Sequence, residues 1–132
     1  MGQCYSVELR IAPRHSAVEV VHGYNEVRRD LEKGKHNGMR CVFNHDEPVR
    51  SVPGVARNLL ASNQRNFQHT NGVYYSAFDG SYGWSWVMRE VFERIAPLLV
   101  TGSQLWVAEE EGTWELTVNK DGIAIETERE SA

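Results

Sequence analysis

The chain has 132 residues, of which 41% are hydrophobic, and its formal net charge is −4. A globular chain of this length buries about two-thirds of the surface that it exposes when unfolded, so it needs neither a metal nor a disulfide to fold. No apolar run approaches the roughly 20 residues that span a bilayer, and Met1–Arg10 lacks the basic and apolar segments of a secretory signal. We therefore expect one cytoplasmic domain over residues 1–132 that binds no membrane.

The first predicted elements are a strand and a helix. Apolar and polar residues alternate over Tyr5–Ile11, which predicts a half-buried strand. Ser16 and Glu19 form the pattern of a capping box, with which a helix begins, and Gly34 is placed to end it. One side of this helix is apolar and carries Val20, Tyr24, Val27 and Leu31.

The middle of the chain predicts shorter elements. Met39–Phe43 reads as a short strand, and a short helix is expected to begin near Pro53. The segment Ser62–Gly72 is polar and rich in Asn and Gln, so we expect it to be an exposed connection.

A strand, a turn and a helix follow. Val73–Phe78 is predicted to be a strand that places Tyr74 and Tyr75 on opposite faces. Asp79 or Ser81 is the expected N-cap of the next helix. Its apolar stripe has the spacing of one helix face and contains Trp84, Val87, Met88, Val91, Phe92 and Ile95.

The last third predicts an antiparallel meander. Its strands are Gln104–Glu109, Trp114–Val118 and Ile123–Thr127, and residues 128–132 are expected to be a frayed tail. Glu115 and Thr117 alternate with the apolar residues, so we expect them on a solvent-exposed face. The order of elements predicts an α+β fold: a mainly antiparallel sheet with two to three helices packed on one face.

Catalytic and metal-binding patterns are weak in this sequence. Cys41 could ligate a metal with His36 or His45, but the chain lacks the second pair of ligands that a structural zinc site requires. Gly80–Gly83 differs from a nucleophile turn. The candidate paired carboxylates, Glu109–Glu111 and Asp46 with Glu47, lie in predicted turns, where acidic groups are solvated. We predict no catalytic residue, no metal and no cofactor, and a small enzyme of unknown reaction remains the third functional reading.

A basic segment indicates nucleic-acid binding as the second functional reading. Residues 28–69 contain eight Lys or Arg against four Asp or Glu, a net charge of +4. Arginines and amides can contact phosphates and base edges, and an aromatic ring can stack on a base. The predicted nucleic-acid site consists of Arg50, Arg57, Arg65, Phe67 and His69.

Protein binding is the leading functional hypothesis. Trp86 falls off the apolar stripe of its helix and Trp106 alternates out of phase with its apolar neighbours, and Trp is a frequent interface anchor. Residues 103–132 contain two Lys or Arg against eight Asp or Glu, a net charge of −6. Acidic groups there could occupy a basic nucleic-acid groove as mimics of phosphate charge. They are Glu109, Glu110, Glu111 and Glu115.

The C-terminal part of the chain, about 55 residues from Tyr75, resembles a known class of protein. It combines the Asp-Gly-Ser turn at Asp79, an aromatic start to the next helix, and a terminal meander with an Asn-Lys-Asp-Gly hairpin at Asn119. This pattern is similar to small uncharacterised accessory proteins of phages and mobile elements. The resemblance implies a counter-defence inhibitor that contacts a host protein or nucleoprotein, such as a CRISPR effector. The sequence leaves open whether the chain forms a homodimer.

Overall fold

The structure is a computed structural model that describes residues 5–33, 49–59, 65–80, 85–109 and 112–127. Its described part contains three α-helices, a short 3-10 turn and six strands. The helices are α1 (Ala17–Lys33), α2 (Val52–Leu59) and α3 (Ser85–Ile95), and the 3-10 turn is Ala96–Leu98. The strands are β1 (Tyr5–Ile11), β2 (Arg65–Thr70), β3 (Val73–Gly80), β4 (Gln104–Glu109), β5 (Gly112–Val118) and β6 (Ala124–Thr127).

The six strands form one sheet in the order β2-β3-β1-β4-β5-β6, and every neighbouring pair is antiparallel. The strand nearest the N-terminus, β1, lies inside the sheet between β3 and β4. The described helices pack on one face of this sheet, where their apolar sides meet those of the strands. The α+β fold predicted from the sequence, with helices on one face of an antiparallel sheet, is therefore confirmed.

The core lies between this face and the helices. Strands β1, β4 and β5 each supply alternate apolar residues to it, as their period-two patterns predicted. In α3, four residues of the predicted stripe are fully buried. The described core residues are Val7, Leu9, Ile11, Val20, Tyr24, Val49, Val52, Val55, Met88, Val91, Phe92, Ile95, Ala96, Leu99, Leu105, Val107, Leu116 and Val118.

Serine caps begin two of the helices. The backbone N–H of Glu19 donates to Ser16 Oγ at 3.3 Å, which confirms the predicted cap of α1. The N–H of Gly54 donates to Ser51 Oγ at 3.2 Å, which gives α2 the same kind of start. Each serine thus satisfies one of the amides that a helix N-terminus leaves without an intrahelical partner.

The predicted loop over Ser62–Gly72 is wrong for most of its length. Arg65–Thr70 forms β2, which pairs with β3 through a two-residue turn. Asn71 and Gly72 have φ of 53° and 79°, the left-handed values that a type I′ hairpin turn requires. Asn-Gly is a strong signal for this turn, but the polar composition of the strand before it concealed the hairpin.

Two further expectations need correction. Asp79 does not cap α3, because it lies within β3, where it pairs with Ser6. Glu115 is not solvated, because only 5% of its surface is exposed. Gly34, the predicted strand Met39–Phe43, Ser81 and residues 128–132 lie outside the described residues. No described helix combines the length and the apolar character needed to cross a membrane.

Candidate functional site: the helix-free face of the sheet

The side of the sheet opposite the core carries polar and aromatic residues in two rows. Residues that are paired across an antiparallel sheet lie on the same face, so the strand register defines each row. None of the described helices packs here, and we name it the helix-free face. Its first row is Gln68, Tyr75, Arg10, Gln104, Thr117 and Ile125, and its second row is Ala77, Glu8, Trp106, Glu115 and Thr127.

A cation and an aromatic ring meet in the first row. The guanidinium carbon of Arg10 lies 5.7 Å from the centroid of the Tyr75 ring, within the range of a cation–π contact. Arg10 is exposed and Tyr75 is half-buried. The central strand β1 and its neighbour β3 hold the two side chains side by side, so the guanidinium is presented to solvent on a fixed aromatic support.

A hydrogen-bond network occupies the other half of this face. Glu115 Oε1 accepts from Gln104 Nε2 at 3.5 Å and from Thr127 Oγ1 at 3.3 Å. The hydroxyl of Thr117 lies 2.9 Å from that of Thr127 and also receives the Gln104 amide at 3.4 Å. The network links β4, β5 and β6, and it explains how a carboxylate can be buried on a face without helices.

Trp106 lies between these two halves. By register it is flanked by Glu8 on β1 and by Glu115 on β5, and its side chain is half-buried. The prediction that Trp106 points away from the apolar core is consistent with this position. An indole held between two acidic neighbours combines a broad apolar contact area with a polar surrounding, as is typical of interface anchors.

The predicted acidic surface is not a single patch. Glu109 pairs with Tyr5 in the register that places Val7 and Val107 in the core, so it lies on the opposite face from Glu115. The carboxylate of Glu115 is buried and already accepts hydrogen bonds. Glu110 and Glu111 lie outside the described residues. Trp86 belongs to α3, but its side chain lies outside the described part of the structure.

The predicted nucleic-acid residues come from neighbouring elements at one edge of the sheet. Arg50 is exposed in the segment before α2, and Arg57 lies in α2, which packs against β3. Arg65, Phe67 and His69 belong to the edge strand β2. The exposed ring of His69 stacks on Tyr74, with centroids 3.9 Å apart and an angle of 7° between the planes. The side chains of Arg57, Arg65 and Phe67 lie outside the described part of the structure.

Sequence reasoning missed Arg10, Tyr75 and Gln104 as members of one surface. Each was visible as the polar or outward member of an alternating strand, but only the register brings them side by side. Within the described ranges, no three His, Cys, Asp or Glu side chains are grouped closely enough to hold a metal ion together.

Comparison with models of protein families, with curated proteins and with solved structures finds no match to this chain.

Proposed function

We propose that this chain is a non-enzymatic binding protein that uses the helix-free face to contact a protein or nucleoprotein partner. The observation that carries this proposal is the Arg10–Tyr75 contact beside Trp106. Trp, Tyr and Arg are the residues most enriched among those that dominate binding energy at protein interfaces. All three lie on adjacent strands of one sheet, and they are surrounded by polar groups suited to an interface rim.

Preorganisation supports the same proposal. Binding loses affinity when flexible side chains must be ordered, at about 0.5–1.5 kcal/mol for each side chain. Tyr75 supports Arg10, and the hydrogen bonds around Glu115 fix Gln104 beside it. A partner that docks here therefore meets side chains whose positions are already restricted.

A more specific form of this proposal, the counter-defence proposal, is that the partner is a protein or nucleoprotein of host defence, such as a CRISPR effector. It is supported by the resemblance of the C-terminal part of the chain to phage and mobile-element accessory proteins. Mimicry of phosphate charge would have to rely on Glu110 and Glu111, because Glu115 is buried and Glu109 lies on the other face of the sheet. Binding by these two groups is expected to weaken as the salt concentration rises.

Affinity capture with matched surface variants tests the binding proposal. The tagged wild-type chain is used to capture partners from a lysate of a host strain, beside Arg10→Ala and Tyr75→Ala. We expect each variant to lose at least ten-fold of a specifically captured protein, while Val18→Ala, which alters an exposed residue of α1, captures it normally. Equal capture by all four proteins contradicts use of the helix-free face.

A phage infection assay tests the counter-defence role. Cells with an active CRISPR system that targets the phage are transformed with wild-type or Arg10→Ala protein. We expect the wild-type chain to raise the number of plaques by orders of magnitude and the variant to fall back toward the empty vector. If the wild-type chain leaves plaque numbers unchanged against each CRISPR type tested, the counter-defence proposal is wrong for those types.

Nucleic-acid binding is the second candidate, and the stacked pair of His69 and Tyr74 at the β2 edge favours it. Aromatic surfaces beside arginines bind single strands by stacking and charge. A mobility-shift assay at low salt compares wild type with Arg50→Ala, whose side chain is exposed. A shift that Arg50→Ala weakens and salt abolishes favours this function, whereas no shift at micromolar protein excludes it.

A further inference from the structure

The two edges of the sheet differ in their suitability for pairing with another strand. The β2 edge is interrupted by a register shift between Arg65 and Gln68, and its exposed residues Gln68, His69 and Thr70 are polar. Bulges and polar side chains of this kind protect an edge from pairing. The β6 edge has an unbroken register over Ala124–Thr127 and contains neither Lys nor Pro.

Exposed isoleucines mark the β6 edge. Ile123 is 56% exposed and Ile125 is 44% exposed, and they are two of the four large hydrophobic residues exposed in the described part of the chain. Ile125 pairs with Thr117 and therefore lies at the rim of the helix-free face. Both side chains keep about half of their surface in solvent, so the described residues leave this edge uncovered.

The hairpin geometry shows which backbone groups of β6 point outward. The N–H of Asn119 donates to the carbonyl of Ile123 and the N–H of Ile123 donates to Asn119 Oδ1, so the backbone groups of these two residues face each other as in a hydrogen-bonded pair next to the turn. Such pairs recur at every second residue of an antiparallel ladder, which directs the backbone groups of Ile125 toward β5. The N–H and C=O groups of Ala124 and Glu126 consequently point to the free edge.

We propose that the chain forms a symmetric dimer in which β6 pairs with β6 of a second copy about a two-fold axis at Ile125. In this register Ala124 of each copy faces Glu126 of the other. Each copy offers two outward N–H and two outward C=O groups, so the two copies exchange four hydrogen bonds. The two sheets then join into one continuous sheet, and this isologous contact closes without leaving a complementary edge free.

Side-chain chemistry fits a second copy as the occupant of this edge. The two Ile125 side chains meet across the axis on the helix-free face and shield each other from water. Glu126 is neutralised within its own chain, because Arg89 Nη1 lies 2.6 Å from its Oε1. The dimer therefore does not bring two uncompensated carboxylates together. This inference concerns the β6 edge and does not rest on the proposed function of Arg10, Tyr75 and Trp106.

Molar mass in solution provides the first test. Light scattering after size exclusion, from micromolar to near-millimolar protein, is expected to show a mass that rises from 15.0 kDa toward twice that value. Ile125→Lys places two like charges across the axis and should hold the mass at that of the monomer, while Val18→Lys on α1 should behave as wild type. A monomer at every concentration, or a dimer that Ile125→Lys leaves intact, overturns the proposal.

Cross-linking tests the register itself. Opposite residues of a pair without mutual hydrogen bonds have Cα atoms about 4.5 Å apart, within the range of a disulfide. In a chain with Cys4→Ser and Cys41→Ser, Ile125→Cys should give a disulfide-linked dimer under mild oxidation. Val18→Cys, which is more exposed, should remain largely monomeric. Equal cross-linking by the two variants would show random collision and contradict the proposed axis.

Discussion

Gly122 and Gly72 have nearly the same backbone conformation but different surroundings. Their φ angles are 76° and 79°, values at which an added Cβ is strained. A Cβ on Gly122 would also lie 3.1 Å from the Cα of Pro97, whereas one on Gly72 would have no neighbour within 4 Å. The first turn is therefore packed against the 3-10 turn, and the second projects freely.

This difference predicts unequal costs for the same substitution. Gly72→Ala should lower the free energy of unfolding by about 1–2 kcal/mol from backbone strain alone. Gly122→Ala should cost about 1 kcal/mol more, because the contact with Pro97 forces a shift of the backbone. Urea unfolding of both variants measures the difference. Equal losses of unfolding free energy in the two variants would mean that the 119–122 turn shifts away from Pro97 at no measurable cost.

Asn25 is the residue that ties α1 to the segment before α2. Its Oδ1 accepts the N–H of Val49 and its Nδ2 donates to the carbonyl of the same residue, both at 2.9 Å. Asn25→Ala leaves both backbone groups of the buried Val49 without this partner, so we expect a loss of about 1–3 kcal/mol. Thermal melts compare it with Glu26→Ala, an exposed neighbour whose removal should cost less than about 0.5 kcal/mol.

At the scale of elements, one arginine connects α3 with the last strand. The guanidinium of Arg89 lies 5.2 Å from the Trp114 ring centroid and is paired with Glu126 of β6. The ion pair is partly exposed, so solvent screens it, and the stacking on Trp114 should contribute the larger share.

A double-mutant cycle separates these two contributions. Arg89→Ala should cost about 1 kcal/mol, and its coupling to Glu126→Gln should be well below 1 kcal/mol and vanish in high salt. Its coupling to Trp114→Leu should persist at high salt, because the ring contact is not an ion pair. Unfolding free energies at two ionic strengths provide the measurement. A salt-sensitive coupling to Trp114 would reverse this assignment.

Glu115 holds the meander together through its hydrogen bonds with β4 and β6. Glu115→Ala removes the acceptor from a site that is 5% exposed, so it should lower the free energy of unfolding by about 1–3 kcal/mol. Thr113→Ala, at an exposed position of the same strand, serves as the control and should have little effect. If the two variants unfold at the same urea concentration, the network does not stabilise the sheet.

Sequence patterns predicted a helix or strand correctly where its buried residues recur with one regular period. The strand over Tyr5–Ile11 and the apolar side of α3 could be predicted because one face of each is in the core. Strand β2 could not be predicted, because it is an edge strand and its described positions show no alternation of apolar and polar residues. Composition alone made it resemble a loop, and its pairing depends on the Asn71–Gly72 turn.

At the scale of the whole molecule, the surface proposed for binding arises from register rather than from local sequence. Tyr75, Arg10 and Gln104 are adjacent in space but come from three distant parts of the chain. A pattern within one segment cannot predict that these three residues are close in space, because their proximity depends on which strands are neighbours in the sheet. Trp106 could be predicted as a surface residue, because the alternation within its own strand is enough to place it on the polar side of the sheet.

The same topology predicts how the molecule responds to loss of its first strand. Strand β1 joins the β2–β3 hairpin to the β4–β5–β6 meander and supplies three buried side chains to the core. A chain that begins at residue 12 should therefore lack a cooperative thermal transition by circular dichroism. Leu9→Ala should instead unfold cooperatively, with a stability lower by about 2–5 kcal/mol. A cooperative transition in the truncated chain would show that the two parts of the sheet associate without β1.

The central place of β1 also has a consequence during synthesis. Arg10 pairs with Gln104, a residue made more than ninety positions later. Strand β1 must therefore wait for the synthesis of more than ninety further residues before both of its edges are paired. A nascent chain arrested before β4 would carry an inner strand with one unpaired edge and alternating apolar residues, and such a chain is prone to aggregation.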